Sequence, residues 1–352
     1  MRFAFLTGTP LSVERGSGTY AGITTLARGV EACGHKVEII APRAHLPVYT
    51  AERLLFNEQL RRMRMDRFEV VIGFDMDGYR VAGPHVAAIK GVIADELRFE
   101  RGPTRWTMAL QARCERANVE HASSVITTSA YAARRIFELY GRHASVVPEC
   151  INLDRWLSML RDAGSRPDPA QFTVLCVCRF YPRKRVDVLL RAAALLPGVR
   201  FRIVGGGPEE AGLKRLSGKL GLGSRVTFLG TVSRATLARE YSACDVFCLP
   251  SVQEGFGIVF LEAMAAGRPI VGARAAAVPE VVTDGLLAEP DDAASLAAAL
   301  ERLRVSPDLR AALAEGGLRT VAQYDAPRVA RLFLNAIGAG GRAIAAAAQS
   351  SR

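Results

Sequence analysis

The chain has 352 residues, a length that is too great for one typical domain and sufficient for two. Hydrophobic residues make up 49% of it and charged residues 23%, and no apolar run reaches about 18 residues, which excludes a membrane-spanning helix. The N-terminus lacks the apolar stretch and cleavage site of a signal peptide, so we expect a cytoplasmic globular protein.

Cysteine usage and net charge restrict the partners further. The seven cysteines are scattered singly without a C-x-x-C pair, so we expect reduced thiols, with neither zinc nor disulfides. The formal net charge is +11, and the excess is spread over both halves of the chain. An anionic ligand and an anionic membrane surface explain this sign equally well, and no nucleic-acid-binding motif is present.

The first half of the chain begins as a parallel βαβ unit. Residues 2–7 and 36–41 are predicted strands, and the helix between them begins near Thr19. The turn before this helix contains Gly16 and Gly18, whose spacing does not fit the G-x-G-x-x-G fingerprint of a nicotinamide site. Further strands are predicted at residues 69–73, 86–92, 124–128 and 145–147.

Two polar features of this half have more than one interpretation. Residues 50–67 form a predicted helix rich in arginine, which either lies on a membrane surface or is an outer helix with a solvated face. Asp75 and Asp77 form a D-x-D pair of the kind that binds metal in some enzymes. Aspartate is also common in turns, and we predict a turn without a metal here.

The second half resumes the alternation of strands and helices after a polar, proline-containing segment at residues 161–171, which we predict to be the linker. This alternation predicts an α/β fold with parallel sheets covered on both faces. The predicted strands lie at residues 172–178, 199–204, 225–229, 245–249 and 270–272. After Pro290 the sequence is helical and rich in alanine.

Charged residues and glycines follow four of these strands. Because ligands of parallel sheets bind beyond the carboxyl ends of the strands, we expect these residues to form one site. In strand order they are Arg179 and Lys184, then Gly205, Gly206 and Gly207, then Thr231, and then residues 254–258.

The segment EGFGIVFLE, from Glu254 to Glu262, places a glycine loop directly before a helix, where free N–H groups suit a phosphate. With the following AMAAGRPIV, it resembles the E-x7-E region of the retaining glycosyltransferases of family four, the group 1 glycosyltransferases. The resemblance implies the GT-B fold, in which two Rossmann-like domains face a cleft. It implies an acceptor-binding domain at residues 1–165, a nucleotide-sugar-binding domain at 166–325 and a helix at 326–352 that returns to the first domain.

The same resemblance assigns roles to residues of the predicted site. Arg179 and Lys184 would hold the donor diphosphate and, with Glu254 at the transferred sugar, form the catalytic set. Glu262 would accept hydrogen bonds from the ribose hydroxyls. The other donor contacts would come from the N–H groups of Phe256, Gly257 and Ile258, from a nucleobase pocket at Gly205, Gly206, Gly207 and Thr231, and from the loop with Gly16 and Gly18.

This chain departs from the family near Ala94, where many relatives have a histidine that contacts the donor sugar. Asp95 and Glu96 are the candidates for that contact. Three arginines follow, which either belong to a solvated loop or hold an anionic acceptor: Arg98, Arg101 and Arg105.

The reaction implied by the resemblance is transfer of a hexose-type sugar from a nucleoside diphosphate sugar, with UDP or GDP as the nucleotide, and with retention of configuration. It needs neither a metal nor another cofactor, and the acceptor is a small molecule, a lipid or a glycan, with contact to the inner face of a membrane as a further expectation. The alternatives are a sugar-nucleotide epimerase of the same fold and a non-catalytic sugar-nucleotide-binding protein. A glycosidase is disfavoured, because eight residues of helix span about 12 Å, against the about 5 Å that a retaining carboxylate pair requires.

Overall fold

The computed structural model of the chain describes residues 1–10, 18–42, 46, 48–163 and 171–350. The chain forms two compact units: unit 1 contains Met1–Cys150 and Ala326–Arg352, and unit 2 contains Ile151–Asp325. Gly16 and most of the predicted linker lie outside the described residues. Among the described helices, none combines the length and the hydropathy that spanning a bilayer requires.

Unit 1 is built on a six-stranded parallel sheet with the order β2-β1-β3-β4-β5-β6. The strands are β1 (Arg2–Leu6), β2 (Lys36–Ile40), β3 (Val70–Phe74), β4 (Val86–Ile89), β5 (Ser124–Thr127) and β6 (Ser145–Val146). The helices that connect them are α1 (Gly18–Ala32), α2 (Tyr49–Arg62), α3 (Ile93–Glu96), α4 (Gly102–His121) and α5 (Ala130–Tyr140). The first connection is the predicted βαβ unit.

The α2 helix is shorter and less solvated than the sequence predicts. It ends at Arg62, because Met63 has an extended backbone. Arg53, which was expected on a solvated or membrane-facing surface, is buried and forms an ion pair with Asp77 at 2.7 Å. The exposed arginines belong to the end of the helix and to the segment after it: Arg61, Arg62, Arg64 and Arg67.

Unit 2 is built on a second six-stranded parallel sheet, with the order β12-β11-β10-β7-β8-β9. The strands are β7 (Thr173–Val177), β8 (Arg200–Val204), β9 (Val226–Gly230), β10 (Val246–Leu249), β11 (Ile270–Ala273) and β12 (Gly285–Ala288). The helices are α6 (Leu153–Asp162), α7 (Val186–Ala194), α8 (Glu210–Lys219), α9 (Arg234–Ala243), α10 (Ile258–Ala265), α11 (Val278–Val281), α12 (Ala293–Val305) and α13 (Pro307–Val321). The predicted α/β class with two parallel sheets is confirmed.

The boundary between the units lies earlier than the predicted residue 165. Helix α6 belongs to unit 2, because its Trp156 is buried there and donates from Nε1 to the backbone oxygen of Glu262 at 3.0 Å. The Trp156 ring also meets the Tyr241 ring edge to face, with centroids 5.7 Å apart. Unit 2 therefore begins at Ile151.

The last helix, α14 (Ala326–Ser350), is part of unit 1. Its Phe333 is buried and its ring centroid lies 6.0 Å from that of Phe5 on β1. It also packs closely on α1, where a Cβ at Gly29 would lie 2.7 Å from the backbone oxygen of Ala326. Unit 1 is thus completed by a segment that follows unit 2 in the chain.

Candidate functional site

The order of the unit 2 sheet produces a crevice at the carboxyl ends of β7 and β10. From β7 the chain continues to β8 on one side, whereas β10 lies on the other side of β7. Loops that leave such neighbouring strands diverge, and ligands of open α/β sheets bind at this point. The loop after β7 contains Lys184 and the loop after β10 contains Glu254, so the strand order brings these two predicted residues together.

Lys184 and Glu254 form a largely buried ion pair. The distance from Lys184 Nζ to Glu254 Oε1 is 2.5 Å, and the side chains are 15% and 8% exposed. The backbone holds both loops in place, since the oxygen of Arg183 accepts hydrogen bonds from Val252 N at 2.9 Å and from Ser251 Oγ at 3.2 Å. The pair is therefore fixed at the crevice rather than carried on a loose loop.

Arg179 is the second cation of the crevice. It follows β7 directly and is half-buried. Within the part of the chain that the structure describes, no carboxylate lies within ion-pairing distance of its guanidinium. A half-buried cation without a carboxylate favours an anionic ligand, because only bulk solvent otherwise screens its charge.

The predicted glycine loop after β8 packs directly against the loop after β7. Gly205 has a φ of +128°, and a Cβ there would lie 1.8 Å from the backbone oxygen of Cys178. The backbone oxygen of Gly206 accepts a hydrogen bond from Phe180 N at 3.0 Å, and a Cβ at Gly207 would lie 2.7 Å from the same nitrogen. These glycines thus set the shape of the loop that carries Arg179.

The amino-terminal end of α10 faces the same edge of the sheet. Gly257 is in a left-handed conformation with a φ of +91°, and no side chain caps the helix. Phe256 is buried, with its ring centroid 5.4 Å from that of Tyr324. The first N–H groups of a helix have no partner within the helix, so those near Ile258 are suited to an anion.

Glu262 is buried on α10 and is held by two residues that sequence reasoning missed. Arg234 Nη1 donates to its Oε1 at 2.6 Å, and the Tyr241 hydroxyl donates to its Oε2 at 3.2 Å. Burial, and then the charge of Glu262, raise the pKa of Tyr241 well above its usual value, which keeps this hydroxyl a donor. A signal for Arg234 was available, because a cation in the first turn of a helix opposes the helix dipole.

Thr231 and Gly18 complete the predicted residues that the structure describes. Thr231 is exposed after β9, and its Oγ1 would lie 4.0 Å from a Cβ at Gly206. Gly18 is the exposed first residue of α1 in unit 1. Gly16 lies outside the described residues.

The predicted D-x-D turn of unit 1 is a buried polar network. Asp77 accepts hydrogen bonds from Arg53 at 2.7 Å, Asn57 at 2.9 Å and Gly8 N at 2.6 Å. Asp75 has a φ of +52° and accepts from Lys90 N at 2.8 Å, and burial raises its pKa to about 6. No group of three or more potential metal ligands occurs among the described residues.

The charged residues near the position of the missing histidine have mostly structural partners. Asp95 is buried and accepts from Arg135 at 2.9 Å and from the Tyr131 hydroxyl at 2.6 Å, so its carboxylate is already satisfied. Glu96 is half-buried. Sequence reasoning missed Lys90 at the end of β4, whose largely buried side chain forms an ion pair with Glu149 at 3.0 Å.

Comparison by sequence finds a glycosyltransferase family and individual glycosyltransferases. Residues 162–320 match the family described as glycosyl transferases group 1. A D-inositol 3-phosphate glycosyltransferase of Mycolicibacterium smegmatis is 38% identical over 191 residues, which cover 50% of this chain and 43% of that relative. The chain thus matches less than half the length of this relative.

Two solved structures are similar over nearly the whole chain. Sucrose-phosphate synthase from Thermosynechococcus elongatus has a TM-score of 0.81 and 22% identity, and the match covers 98% of this chain and 99% of that one. Anabaena Alr3699/HepE in complex with UDP-glucose has a TM-score of 0.71 and 19% identity, with 96% and 100% covered. At this level of identity the likeness concerns the fold, which is GT-B.

Proposed function

We propose, on the premise that residues 162–320 of this chain belong to the glycosyl transferases group 1 family, that the protein is a retaining glycosyltransferase. It transfers a hexose-type sugar from a nucleoside diphosphate sugar, with UDP or GDP as the nucleotide, to an acceptor. Unit 2 binds the donor and unit 1 binds the acceptor. The reaction requires neither a metal nor another cofactor.

The observation that carries this proposal is that two cations and the uncapped N-terminus of a helix lie at the same edge of the unit 2 sheet. Arg179 and Lys184 follow β7, and the uncapped α10 begins just after the loop that follows β10. A nucleoside diphosphate leaving group gains negative charge as the glycosidic bond breaks, and preorganised cations and N–H groups stabilise that charge. The complex of HepE with UDP-glucose supports a donor of this class.

When the donor binds, Lys184 and Glu254 exchange their mutual contact for contacts with the donor. The donor diphosphate carries more negative charge than the Glu254 carboxylate, so it attracts the Lys184 ammonium more strongly. Glu254, held at the crevice by the backbone contacts of its loop, then accepts hydrogen bonds from hydroxyls of the transferred sugar. The ion pair thus keeps both groups in position before the donor arrives.

In this proposal Glu262 accepts hydrogen bonds from the ribose hydroxyls. Arg234 and Tyr241 each donate one hydrogen bond to a different oxygen of its carboxylate. Each carboxylate oxygen has two lone pairs, so one on each oxygen stays available to a hydroxyl. Arg234 is 41% exposed, so this ion pair lies at the edge of the protein interior that solvent and a ligand can reach.

The experiment that tests the donor site is differential scanning fluorimetry with UDP, GDP, ADP and their sugars. A ligand present at about 100 times its Kd stabilises the native state by about 2.7 kcal/mol and raises Tm. We expect a rise in Tm with one nucleotide in the wild type and no rise in Lys184→Ala. Lys214→Ala, which removes an exposed lysine of α8, is the matched control and should respond as the wild type does.

Two further measurements sharpen this test. Removing Lys184 alone leaves the buried Glu254 carboxylate without its partner, so the double variant Lys184→Met with Glu254→Gln separates lost binding from lost stability. Incubation with the identified donor and an acceptor panel that includes D-inositol 3-phosphate, followed by NMR of the product anomer, tests transfer and retention. An unchanged Tm with every nucleotide contradicts the proposed donor site.

A further inference from the structure

The first turns of α4 in unit 1 carry a tryptophan that is almost fully exposed. Trp106 is 79% exposed, whereas the only other tryptophan of the chain, Trp156, is 2% exposed. Large aromatic side chains are rarely left in water on a globular surface, and exposed apolar groups rimmed by polar ones mark interaction sites. Leu110, one turn further along the helix, is also exposed.

The exposed charged residues that neighbour Trp106 in the sequence are all positive. Arg101, Arg105 and Arg113 are exposed, and no carboxylate pairs with any of them among the residues that the structure describes. Between residues 97 and 113 the one acidic residue is Glu100, which is buried. We call the surface formed by Arg101, Arg105, Trp106, Leu110 and Arg113 the α4 basic surface.

The start of α2 contacts α4 at Gln111 and has exposed side chains of its own. Gln111 of α4 donates to Thr50 Oγ1 of α2 at 2.7 Å. The residues before Thr50, Val48 and Tyr49, are both exposed. An exposed tryptophan and aliphatic groups within a field of arginines are the combination that binds at the interface of an anionic bilayer.

We propose that the α4 basic surface docks unit 1 on an anionic lipid membrane, with the Trp106 ring at the level of the headgroups and the arginines against lipid phosphates. A glycan is the less favoured partner, because sugar sites need hydrogen-bond acceptors beside the aromatic ring and this surface has no exposed carboxylate. The inference is independent of the donor site in unit 2. It assigns the membrane contact to α4, whereas the sequence left the arginine-rich segment that forms α2 open between a membrane-facing helix and an outer helix with a solvated face.

Tryptophan fluorescence can test the membrane contact, because Trp106 is exposed and Trp156 is buried. Full-length protein is titrated with vesicles of phosphatidylcholine alone and with vesicles containing phosphatidylglycerol, in low and high salt, while binding is measured by flotation. We expect binding to the anionic vesicles alone, a blue shift of tryptophan emission, and quenching by lipids with brominated chains. Since Trp156 is buried, these changes report on Trp106 and should be absent in Trp106→Phe.

Charge variants locate the contact. Each arginine near an anionic surface contributes a factor of about five in partitioning, so Arg101→Gln, Arg105→Gln and Arg113→Gln together should weaken binding about 100-fold. The matched control carries Arg61→Gln, Arg62→Gln and Arg64→Gln, which removes three exposed charges from the same unit. It should bind within a few-fold of the wild type, since these arginines lie outside the α4 basic surface.

Three outcomes overturn the proposal. The first is that the wild type does not bind anionic vesicles in low salt. The second is that the control variant loses as much affinity as the α4 variant, which would indicate attraction by net charge alone. The third is that the emission of Trp106 responds to a soluble anionic oligosaccharide but not to vesicles, which would indicate a glycan site.

Discussion

Asp75 of unit 1 has both an unfavourable backbone conformation and a buried carboxyl group. Its backbone has a φ of +52°, and its carboxylate accepts a hydrogen bond from Lys90 N. Burial raises its pKa to about 6; the charge of Arg53 acts in the opposite direction, and those of Asp77 and Glu96 raise the pKa further. Such strain is stored mainly at functional sites, and Asp75 follows β3 next to β1, where the strand order of unit 1 diverges.

We expect Asp75→Asn to change the dependence of stability on pH. The native state of the wild type binds the Asp75 proton more tightly than the unfolded state does, so its free energy of unfolding falls as pH rises from about 4 to about 6. Asparagine keeps an oxygen that accepts the hydrogen bond from Lys90 N. Because its side chain does not titrate, it does not lose stability over this pH range. The variant should therefore gain about 1–3 kcal/mol on the wild type between pH 4 and pH 7.5.

Urea denaturation of both proteins at pH 4 and pH 7.5 checks this expectation. Glu115 contributes in the same direction, because burial and then the charge of Asp75 raise its pKa, and Asp75→Asn removes that charge. An equal stability difference at the two pH values would mean that Asp75 titrates normally in the folded protein.

At the scale of elements, the site of unit 2 depends on close contacts between loops. The loops after β7 and β8 join through the hydrogen bond from Phe180 N to the oxygen of Gly206, and the loops after β7 and β10 join at Arg183. Gly205 allows the first of these contacts, because any side chain there would collide with Cys178. The loop that carries Arg179 thus has little freedom.

Gly205→Ala should therefore destabilise unit 2 by several kcal/mol and abolish nucleotide binding, because it combines a forbidden φ with a backbone clash. Gly212→Ala is the matched control, since Gly212 lies exposed on α8 with open space around its Cβ position. The control should gain up to about 1 kcal/mol from helix propensity and bind normally. Urea titration and nucleotide-induced Tm shifts measure both effects, and equal stability of the two variants would contradict the packing argument.

The sequence was sufficient to predict the positions of strands with a clear apolar pattern. Strands β7 and β10 are buried apolar runs, and β8 alternates half-buried arginines with buried apolar residues, so all three could be predicted closely. Strand β12 escaped detection because it is short, half-exposed and at the edge of the sheet. Helix α6 escaped because its burial is decided by the contact of Trp156 with α10, which sequence periodicity does not reveal.

Contacts between distant residues of the site could not be predicted from the sequence either. Arg179, Lys184 and Glu254 follow strands and could be brought together by topology alone. Their pairing could not be predicted, nor could the bonds from Arg234 and Tyr241 to Glu262, because the partners lie 21 or more residues apart. The local sequence pattern shows which residues follow the strands at the edge of a sheet. Which of these residues form contacts with one another is decided by tertiary packing.

At the scale of the whole molecule, unit 1 depends on a helix that follows unit 2. Helix α14 contributes Phe333, Val329 and Ala330 to the core that contains Phe3 and Phe5 of β1. The described part of α14 also fits against the small residue Gly29 of α1. Unit 2 is by contrast one continuous stretch of chain.

Phe333→Ala should lower the free energy of unfolding of unit 1 by about 3–5 kcal/mol, because it removes a fully buried ring from this core. Leu332→Ala is the control, since its side chain is 45% exposed, and it should change stability by less than about 1 kcal/mol. Nucleotide binding by unit 2 should persist in both variants. Loss of nucleotide binding in Phe333→Ala, measured by isothermal titration calorimetry, would show that the units are not independent in this respect.

The position of α14 after unit 2 in the chain has a consequence for biosynthesis. Ribosomes add roughly 5–20 residues per second, and domains fold as they emerge. The strands of unit 1 leave the ribosome first, yet the helix that covers Phe3 and Phe5 follows only after residues 151–325, a delay of roughly 10–35 s. Throughout that interval the nascent chain carries an open apolar face on unit 1 while unit 2 is being made, and this face is what a chaperone at the ribosome would meet.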